Sequence, residues 1–448
     1  MRGALLQCAP MTVPVIVPRA GHAVSRRQID PDALKVLYRL HQNDYVAYLV
    51  GGSVRDLILG RRPKDFDIGT SAHPYQVKRL FRNCWIIGRR FRLAHVRFGT
   101  KTIEVATFRR QLTAAELAAP EEAPPQDGNP PTDASDADRL MQRDNTFGTP
   151  EEDAFRRDFT INALFYDIAD FSIIDYTGGL RDLEARVIRC IGDPTERFQE
   201  DPVRMLRAVS MASRLDFSID PPIDAAIAAH RGELARSAPA RLMEEIYKLL
   251  RAGASEKAFR MLAERRLLEA IAPEMQKRAG DALWRSLAAL DAHRKRFEET
   301  PEALTNAVLL GTLLVPIGYD FRPPPFVPNP GGKPRKEPAM SLGMLPLARR
   351  DVERLRNILS LQRRLTDLNL SPRARKALMH RGPFREALTW LEIHGNAPAV
   401  LEHWRGFIEA AKTFDPDAEG PAAAGAADPP PPRRRRRRRR RPFRTPTA

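Results

Sequence analysis

The sequence predicts an α+β head, an all-α neck and body, and a low-complexity basic tail. Between residues 45 and 107, short apolar segments typical of strands alternate with segments of helical spacing. From about residue 194 apolar residues recur at i, i+3 and i+4, which predicts helices almost throughout. The predicted boundaries are a flexible arm at 1–28, the head at 29–193, the neck at 194–275, the body at 276–414 and a disordered Arg-rich tail at 415–448.

The first half of the head contains alternating strand and helix patterns. "DPDALKVLYRLHQ" has helical spacing behind Asp30, "YVAYLV" predicts a buried strand, "GGSVRDLILG" a tight turn into a short helix, and "FDIGT" a second strand. A helix at "HPYQVKRLF", a strand at "WIIG" and a hairpin at "LAHVRFGTKTIEVATF" follow. Residues 111–143 carry Pro, Gly, Ala and seven acidic residues, which predicts a mobile acidic loop.

The second half of the head returns to regular patterns before the helices begin. "EEDAFRRDFTINALFYDI" predicts a helical turn that leads into a strand, and "FSIIDYTGGLRDLEARVIRCIG" predicts a further strand and turn. A Pro-rich break at 322–338 divides the helical part. The clearest helical stripes are "DPVRMLRAVSMASRL", "PARLMEEIYKLLRAG" and "SEKAFRMLAERRLLEAI".

Composition narrows the class of protein. The 448 residues are 43% hydrophobic, and no apolar run approaches the roughly 20 residues that span a bilayer. Three scattered cysteines are too few for a disulfide framework or a zinc site, which favours a reducing compartment. We therefore expect a cytoplasmic protein without a transmembrane segment.

The net charge of +17 is concentrated at the C-terminus. Ten of these charges, Arg433 to Arg441 and Arg444, lie in the last sixteen residues, so the rest of the chain is only moderately basic. A polyanion is the partner that such a tail attracts, and nucleic acid is the polyanion we expect.

The stretch "KDFDIGTS" places two carboxylates two residues apart. In a strand, Asp65 and Asp67 would point to the same face, and two carboxylates that close repel unless a cation lies between them. Oxygen ligands favour Mg²⁺, which commonly takes one or two protein carboxylates together with substrate phosphates. The alternative is a solvated turn, since acidic-x-acidic patterns are common.

Two further segments bear on that choice. In "VGGSVRD", Gly51 and Gly52 would allow close backbone approach at a helix N-terminus, which attracts phosphate, although a plain strand-turn-helix connector has the same pattern. In "TIEVATF", strand alternation places Glu104 opposite to Ile103 and Val105, so Glu104 is either a third acid or a solvated strand position.

Four segments together resemble the class II tRNA nucleotidyltransferase and bacterial poly(A) polymerase family: "YLVGGSVRDLILGRRPKDFDIGTS", "RRDFTINALFYD", "DYTGGLRDLEARVIRCIGDP" and "RFQEDPVRMLRAVSMASRL". The resemblance runs from about residue 30 to 275. It implies a polymerase-β-like nucleotidyltransferase head with a mixed sheet. It also implies that Asp65 and Asp67 bind two Mg²⁺ ions, one activating the primer 3′-hydroxyl and the other holding the triphosphate. The third acid is either Glu104 or Asp158 of "RRDFT".

The resemblance also implies which residues bind ATP. The Asp and Arg of the E-D-x-x-R pattern would read the Watson–Crick edge of the incoming base, which here are Asp201 and Arg204. The alternative is structural, since Asp201 also suits a helix N-cap and Glu200 with Arg204 an ordinary i, i+4 ion pair. The full nucleotide-binding set predicted is Gly51, Gly52, Ser53, Arg55, Asp56, Arg157, Asp158, Asp201, Arg204 and Arg207.

Two branches of the family remain open, adenylation of RNA 3′ ends and CCA addition to tRNA. "GRRFRLAHVRF" (88–98) resembles the stretch that marks bacterial poly(A) polymerases, although its arginines suit any phosphate backbone. A third alternative is an RNA-binding protein with an inactive head. We expect a monomer, with RNA-decay or ribosome-associated proteins as further partners of the tail. The predicted RNA-binding residues are Arg89, Arg90, Arg92, Arg433, Arg437 and Arg441.

Overall fold

An eight-stranded mixed sheet forms the head of the molecule. The computed structural model describes residues 13–88, 92–110, 146–297, 302–321 and 340–413. The strands of the sheet are β1 (Val15–Val17), β2 (Ala47–Val50), β3 (Asp67–Thr70), β4 (Cys84–Ile87), β5 (Leu93–Phe98), β6 (Lys101–Thr107), β7 (Leu164–Asp167) and β8 (Ile173–Asp175). Their order is β1-β8-β7-β2-β3-β6-β5-β4, and only the β3–β6 pair is parallel.

The helices of the head lie between these strands in the chain. Helix α1 begins behind Asp30, whose side chain accepts the Asp32 backbone N–H, so the predicted cap is confirmed. The head helices are α1 (Pro31–His41), α2 (Gly52–Ile58), α3 (Pro74–Leu80), α4 (Pro150–Phe155) and α5 (Gly179–Ala185), with a 3-10 turn at Thr160–Asn162.

The two faces of the sheet differ in what covers them. On one face the alternate residues of β5 and β6, such as Val96 and Ile103, are buried, and α3 packs there through Val77. On the other face Val50 and Phe165 belong to a small second core around Phe108. Strand β5 and the edge strand β4 extend that second face away from the small core.

The neck and body are helical, as predicted. They contain α6 (Pro194–Glu200), α7 (Val203–Leu215), α8 (Pro221–His230), α9 (Pro239–Arg251), α10 (Ser255–Glu264), α11 (Leu267–Ile271), α12 (Pro273–Arg278), α13 (Asp281–Lys295), α14 (Asn306–Leu314), α15 (Arg349–Leu365), α16 (Pro372–Met379), α17 (Phe384–His394) and α18 (Pro398–Thr413). Two short pairs, β9 (Val187–Ile188) with β10 (Ser218–Ile219) and β11 (Ser341–Leu342) with β12 (Leu345–Pro346), complete the fold. Within the described residues no helix is long and apolar enough to cross a bilayer.

Head and neck are joined by more than the chain. The parallel β9–β10 pair links the end of the head to the loop after α7. Arg214 of α7 donates to both carboxylate oxygens of Asp56 on α2, at 3.2 and 3.1 Å. One continuous hydrophobic core runs from the head through the neck into the body.

The structure differs from the sequence predictions at three points. Part of the predicted arm, Val15–Val17, forms an edge strand that pairs with β8, a contact about 160 residues away in sequence that no local pattern reveals. Asp65 precedes β3 instead of lying in it. The helix predicted over "SEKAFRMLAERRLLEAI" is two helices, because Arg266 between them has φ 58°.

Gly69 in β3 is required by a close contact. A Cβ at this position would lie 2.5 Å from Cε1 of Phe108 and 3.0 Å from Cγ1 of Val50, both in the small second core. We expect Gly69→Ala to lower the free energy of unfolding by about 1–3 kcal/mol, measured by urea denaturation. Gly232→Ala is the matched control, since its added Cβ meets nothing within 4 Å. Equal stability of the two variants would contradict this prediction.

Candidate active site

A cavity of about 560 Å³ lies between the second face of the sheet and the start of α7. Its floor is made of residues on β3, β5 and β6, and its walls come from the β2–α2 turn, the segment after α4 and the neck. Nine residues that the sequence predicted for the nucleotide and metal sites line it: Gly51, Gly52, Arg55, Asp67, Arg157, Asp158, Asp201, Arg204 and Arg207. The sequence therefore identified most of the charged groups that meet here.

Asp67, the first residue of β3, is the acidic centre of this cavity. Water reaches the Asp67 carboxyl from the cavity. Its pKa is nevertheless raised to about 6, mainly because the surrounding protein desolvates it, and repulsion from Glu104 and Asp65 contributes in the same direction. Arg157 opposes that rise. Glu104 and Asp65 are therefore close enough to Asp67 to act on it electrostatically.

The position of Glu104 follows from strand register. Ile68 and Val105 are paired across β3 and β6, so the preceding residues, Asp67 and Glu104, share the second face of the sheet. Glu104 is half exposed and lies 3.7 Å from Nε2 of His95. Asp65 and Glu104 do not line the cavity itself.

The acidic residues suit a divalent cation in charge and donor type. Mutual repulsion that raises the pKa of a carboxyl is relieved when a cation binds between the carboxylates. In the described parts of the chain, no three His, Cys, Asp or Glu side chains are arranged closely enough to hold a metal by themselves. Phosphate oxygens and water would have to complete the coordination, which is common for Mg²⁺.

The β2–α2 turn brings backbone close to the cavity. Gly51 has φ +74°, a conformation that favours glycine, and a Cβ there would lie 3.0 Å from Nη1 of Arg157. Arg157 is fixed in turn by Asp153, which accepts from its Nε and Nη2 at 3.2 and 2.9 Å. The space beside Gly51 is therefore lined by backbone and by the Arg157 guanidinium, which suits a phosphate chain.

Three residues predicted for nucleotide binding in α2 have structural partners. Ser53 is buried and donates to the Val50 carbonyl. Asp56 accepts from Arg55 at 2.8 Å and from Arg214, and it does not line the cavity. Arg55 also contacts Asn162 and does reach the cavity wall; burial lowers the pKa of its guanidinium.

Asp158 lines the same cavity as Asp67. It is 6% exposed, and its Oδ1 accepts the Phe159 backbone N–H at 2.9 Å. Its Oδ2 lies 2.7 Å from Nη2 of Arg207 but without the alignment of a hydrogen bond. A buried carboxylate oxygen that accepts no hydrogen bond can accept one from a hydroxyl of a bound molecule.

Asp201 and Arg204 show both of the alternatives that the sequence left open. Oδ1 of Asp201 accepts the Val203 backbone N–H at 3.3 Å, and Arg204 donates to Glu200 at 2.8 Å, as in the structural alternative. Both residues nevertheless line the cavity. Oδ2 of Asp201 is held by Arg241 of α9 at 2.9 Å.

Sequence patterns alone missed several residues of the cavity. Asp153 was not predicted, although it lies four residues before the predicted Arg157 on a helical turn, the spacing that could have revealed their ion pair. Asn162 and Phe108 lie in the cavity because distant strands bring them there, and no local pattern indicated this.

The predicted RNA-binding arginines are only partly described. Arg92 is exposed just before β5. Arg89, Arg90, Arg433, Arg437 and Arg441 lie outside the described residues, as do the predicted acidic loop at 111–143 and the predicted tail at 415–448.

Family models of known proteins match the chain in three consecutive segments. Residues 47–189 match "Poly A polymerase head domain". Residues 216–278 match "Probable RNA and SrmB- binding site of polymerase A". Residues 340–442 match "Polymerase A arginine-rich C-terminus".

Individual relatives include poly(A) polymerases and CCA-adding enzymes. The chain is 50% identical over 262 residues to poly(A) polymerase I of Salmonella typhimurium, which covers 58% of this chain and 54% of that protein. It is 34% identical over 284 residues to the CCA-adding enzyme of Lactobacillus johnsonii, covering 63% and 64%. The chain thus spans about half the length of the curated poly(A) polymerases it matches.

A solved structure has the same fold. The Bacillus stearothermophilus CCA-adding enzyme in complex with CTP aligns with a TM-score of 0.52 and 25% identity, covering 88% of this chain and 90% of that one. The predicted nucleotidyltransferase head with a mixed sheet and a helical remainder is confirmed.

Proposed function

The chain belongs to the bacterial poly(A) polymerase and tRNA nucleotidyltransferase family, and from this premise we propose that it is a polynucleotide adenylyltransferase. It would add AMP from ATP to RNA 3′-hydroxyl ends without a template. The observation that carries this proposal is the cavity that Asp67, Asp158, Asp201 and Arg204 line together.

The reaction would be a displacement at the α-phosphorus of ATP. The primer 3′-oxygen forms a bond to that phosphorus, the bond to the β-phosphate oxygen breaks, pyrophosphate leaves and the hydroxyl proton goes to solvent. Arg157 beside the β2–α2 turn would bind the phosphates. Asp158 would accept a ribose hydroxyl through its Oδ2, which is buried and accepts no hydrogen bond from the protein.

Asp65 and Asp67, with Glu104 nearby, would hold the divalent cations, which we propose to be two Mg²⁺ ions. When bound, these ions would offset the triphosphate charge and make the primer hydroxyl more acidic. Support comes from Asp67, whose pKa is raised to about 6 first by burial and then by repulsion from Glu104 and Asp65.

Base choice would rest on Asp201 and Arg204. Adenine presents a donor at N6 and an acceptor at N1, which a carboxylate and a guanidinium complement. Guanine and uracil present the reverse order, so the pair would reject them. Cytosine has the same order as adenine, so exclusion of CTP needs a restriction on pocket size as well.

A second candidate is CCA addition to tRNA, favoured by the identity to a CCA-adding enzyme and by the shared fold. The third hypothesis, an RNA-binding protein with an inactive head, is opposed by the presence of Asp65, Asp67, Glu104 and Asp158 together.

Extension of a 5′-labelled RNA primer separates these candidates. The full chain is incubated with Mg²⁺ and each nucleoside triphosphate in turn, beside a tRNA transcript that lacks its CCA end, with Asp65→Ala as the control. Long ladders with ATP alone on the general primer, lost in Asp65→Ala, would support adenylation. Three-nucleotide addition to the tRNA that needs CTP would assign the other branch, and no incorporation at all would favour the inactive head.

RNA is the partner that we propose for the basic tail. Deleting residues 415–448 should lower primer affinity and flatten its dependence on salt, because each phosphate neutralised on a single strand adds about 0.7 to the slope of log K against log salt. If five arginines are engaged, the slope should fall by roughly 3 to 4. Fluorescence anisotropy at several salt concentrations measures this, and an unchanged slope would mean that the tail has another role.

The remaining expectations stay predictions. They are a cytoplasmic location, a monomeric state and contacts of the tail with RNA-decay or ribosome-associated proteins.

A further inference from the structure

One row of side chains crosses the second face of the sheet from the cavity to the outer edge. Register pairs Glu104 with His95 across β6 and β5, and His95 with Trp85 across β5 and β4. Asp67 precedes the β3–β6 pairs by one residue and so begins the same row. Asp67, Glu104, His95 and Trp85 therefore lie side by side on four adjacent strands.

A second, less polar row runs parallel to the first. Gly69 on β3, Ala106 on β6 and Leu93 on β5 are neighbours in the sheet. Leu93 pairs in turn with Ile87 on the edge strand β4. The first three form part of the cavity floor, so this face of the sheet continues without interruption from the cavity to the edge.

The edge carries an apolar surface that is open to solvent. Trp85 and Ile87 are each 51% exposed, whereas Ala94 and Val96 on the opposite face are fully buried. An edge strand that exposes half of an indole to water can aggregate with other chains unless this surface has a binding partner. The adjacent charges are of both signs: Arg97 is exposed on the same face as His95 and Arg92 is exposed just before β5, while Glu104 lies beside His95 on the side towards the cavity.

We propose that this edge, defined by Trp85, Ile87 and His95, binds the single-stranded 3′ segment of the RNA primer, with a base stacked on Trp85. The inference rests on the proposed function, since it assigns a path to the RNA that the same site extends. Three strand spacings separate Trp85 from Asp67, roughly 14 Å between Cα atoms. At about 3.4 Å per stacked base, this distance corresponds to roughly four nucleotides.

Chemistry favours RNA over other partners here. Stacking of a base on an aromatic ring tolerates any sequence, which suits an enzyme that must accept a different 3′ end after each addition. Flanking arginines supply the backbone charge that such surfaces combine with aromatic side chains. Continuity with the cavity floor places the bound strand in line with the proposed point of attack.

The test compares three variants of the full chain in binding a fluorescein-labelled oligoadenylate without nucleotide. Trp85→Ala should weaken binding roughly ten-fold, and Trp85→Phe, which keeps an aromatic ring, should stay close to the unmodified protein. Tyr75→Ala is the matched control, because Tyr75 is 61% exposed on α3, against the opposite face of the sheet. Its binding should not change.

Intrinsic fluorescence gives a second measurement that a merely structural role would not alter. The chain has four tryptophans, and the other three, Trp284, Trp390 and Trp404, lie in the body. Stacking of a base on Trp85 should quench part of the emission on RNA addition. Trp85→Phe should remove this quenching while it retains RNA binding.

Equal RNA binding by Trp85→Ala and the unmodified protein would overturn the inference. A dimeric mass for the unmodified protein and a monomeric mass for Trp85→Ala, with RNA binding unchanged, would also overturn it. The edge would then be a contact between copies of the chain. Because no nucleotide is present, the result is independent of adenylation. Failure of primer extension with the binding contrast intact would count against the proposed function alone.

Discussion

Replacing Asp67 with Asn is expected to abolish nucleotide incorporation and, at the same time, to stabilise the metal-free protein at neutral pH. The loss of activity should be at least about a thousand-fold, because the charge stabilisation that depends on this carboxylate is worth several kcal/mol. Primer extension with ATP measures it. Both effects come from the same carboxylate. It would bind the cation during the reaction, and without a cation it is held close to other acids.

The stability effect has a definite sign. The pKa of the Asp67 carboxyl is about 6 in the folded protein, above its ordinary value of 3.8. The folded state therefore binds the proton more tightly than the unfolded chain. The contribution of this carboxyl to stability is greatest below pH 4 and falls as pH rises through 6. Because water reaches Asp67, the penalty at pH 7 is about 1 kcal/mol after allowance for screening.

Urea denaturation in EDTA at pH 7 and pH 4 should show this difference. Asp67→Asn should have the higher midpoint at pH 7, and the advantage should shrink at pH 4. Asp44→Asn is the control, since Asp44 lies in an exposed turn with φ 63°, which Asn adopts readily. If Asp67→Asn retained activity, or lost stability at pH 7, the assignment of Asp67 as a cation ligand in a repulsive cluster would be wrong.

Replacing Asp201 with Ala is expected to have the second largest effect, a loss of about a hundred-fold in kcat/KM for ATP. The carboxylate would no longer accept the adenine N6 donor, and hydrogen bonds to charged groups contribute about 1.5–3 kcal/mol. GTP, which presents an acceptor at that position, should lose far less. The ratio of ATP to GTP use should therefore collapse.

Steady-state kinetics with each triphosphate measures that ratio. Glu196→Gln is a suitable control, because Glu196 is exposed on α6, close in sequence to the cavity but outside it. A uniform fall for all four nucleotides would mean that Asp201 acts through its contacts with Val203 and Arg241 and not through the base.

Sequence patterns were most informative where function depends on short spacing. Asp65 and Asp67 are two residues apart, and their spacing indicated an acidic cluster although only Asp67 lies in β3 and lines the cavity. Asp201 and Arg204, three residues apart, were identified by the family resemblance, and both line the cavity. Burial and long-range pairing were beyond that reach. Asp56 looked like a ligand-binding residue in "GGSVRD", but its partner Arg214 lies 158 positions away.

The same limit explains what was missed in the fold. Val15–Val17 has no helical or turn pattern and suggested an irregular arm, because its partner β8 lies far along the chain. Strand alternation placed Glu104 on the correct face, whereas its row with His95 and Trp85 needs the register of three strands, which the sequence does not specify.

The contacts between Asp56 and Arg214, together with the β9–β10 pair, determine how this chain can be recombined with its relatives. A crossover at residue 193 would separate β9 from β10 and would leave Asp56 without Arg214. Chimeras that exchange α7, the helix that we propose selects the nucleotide, should therefore fold only when the junction lies beyond β10, or when Asp56 and the residue that contacts it are exchanged together. Base selectivity would then be inherited together with the head, as one unit of exchange.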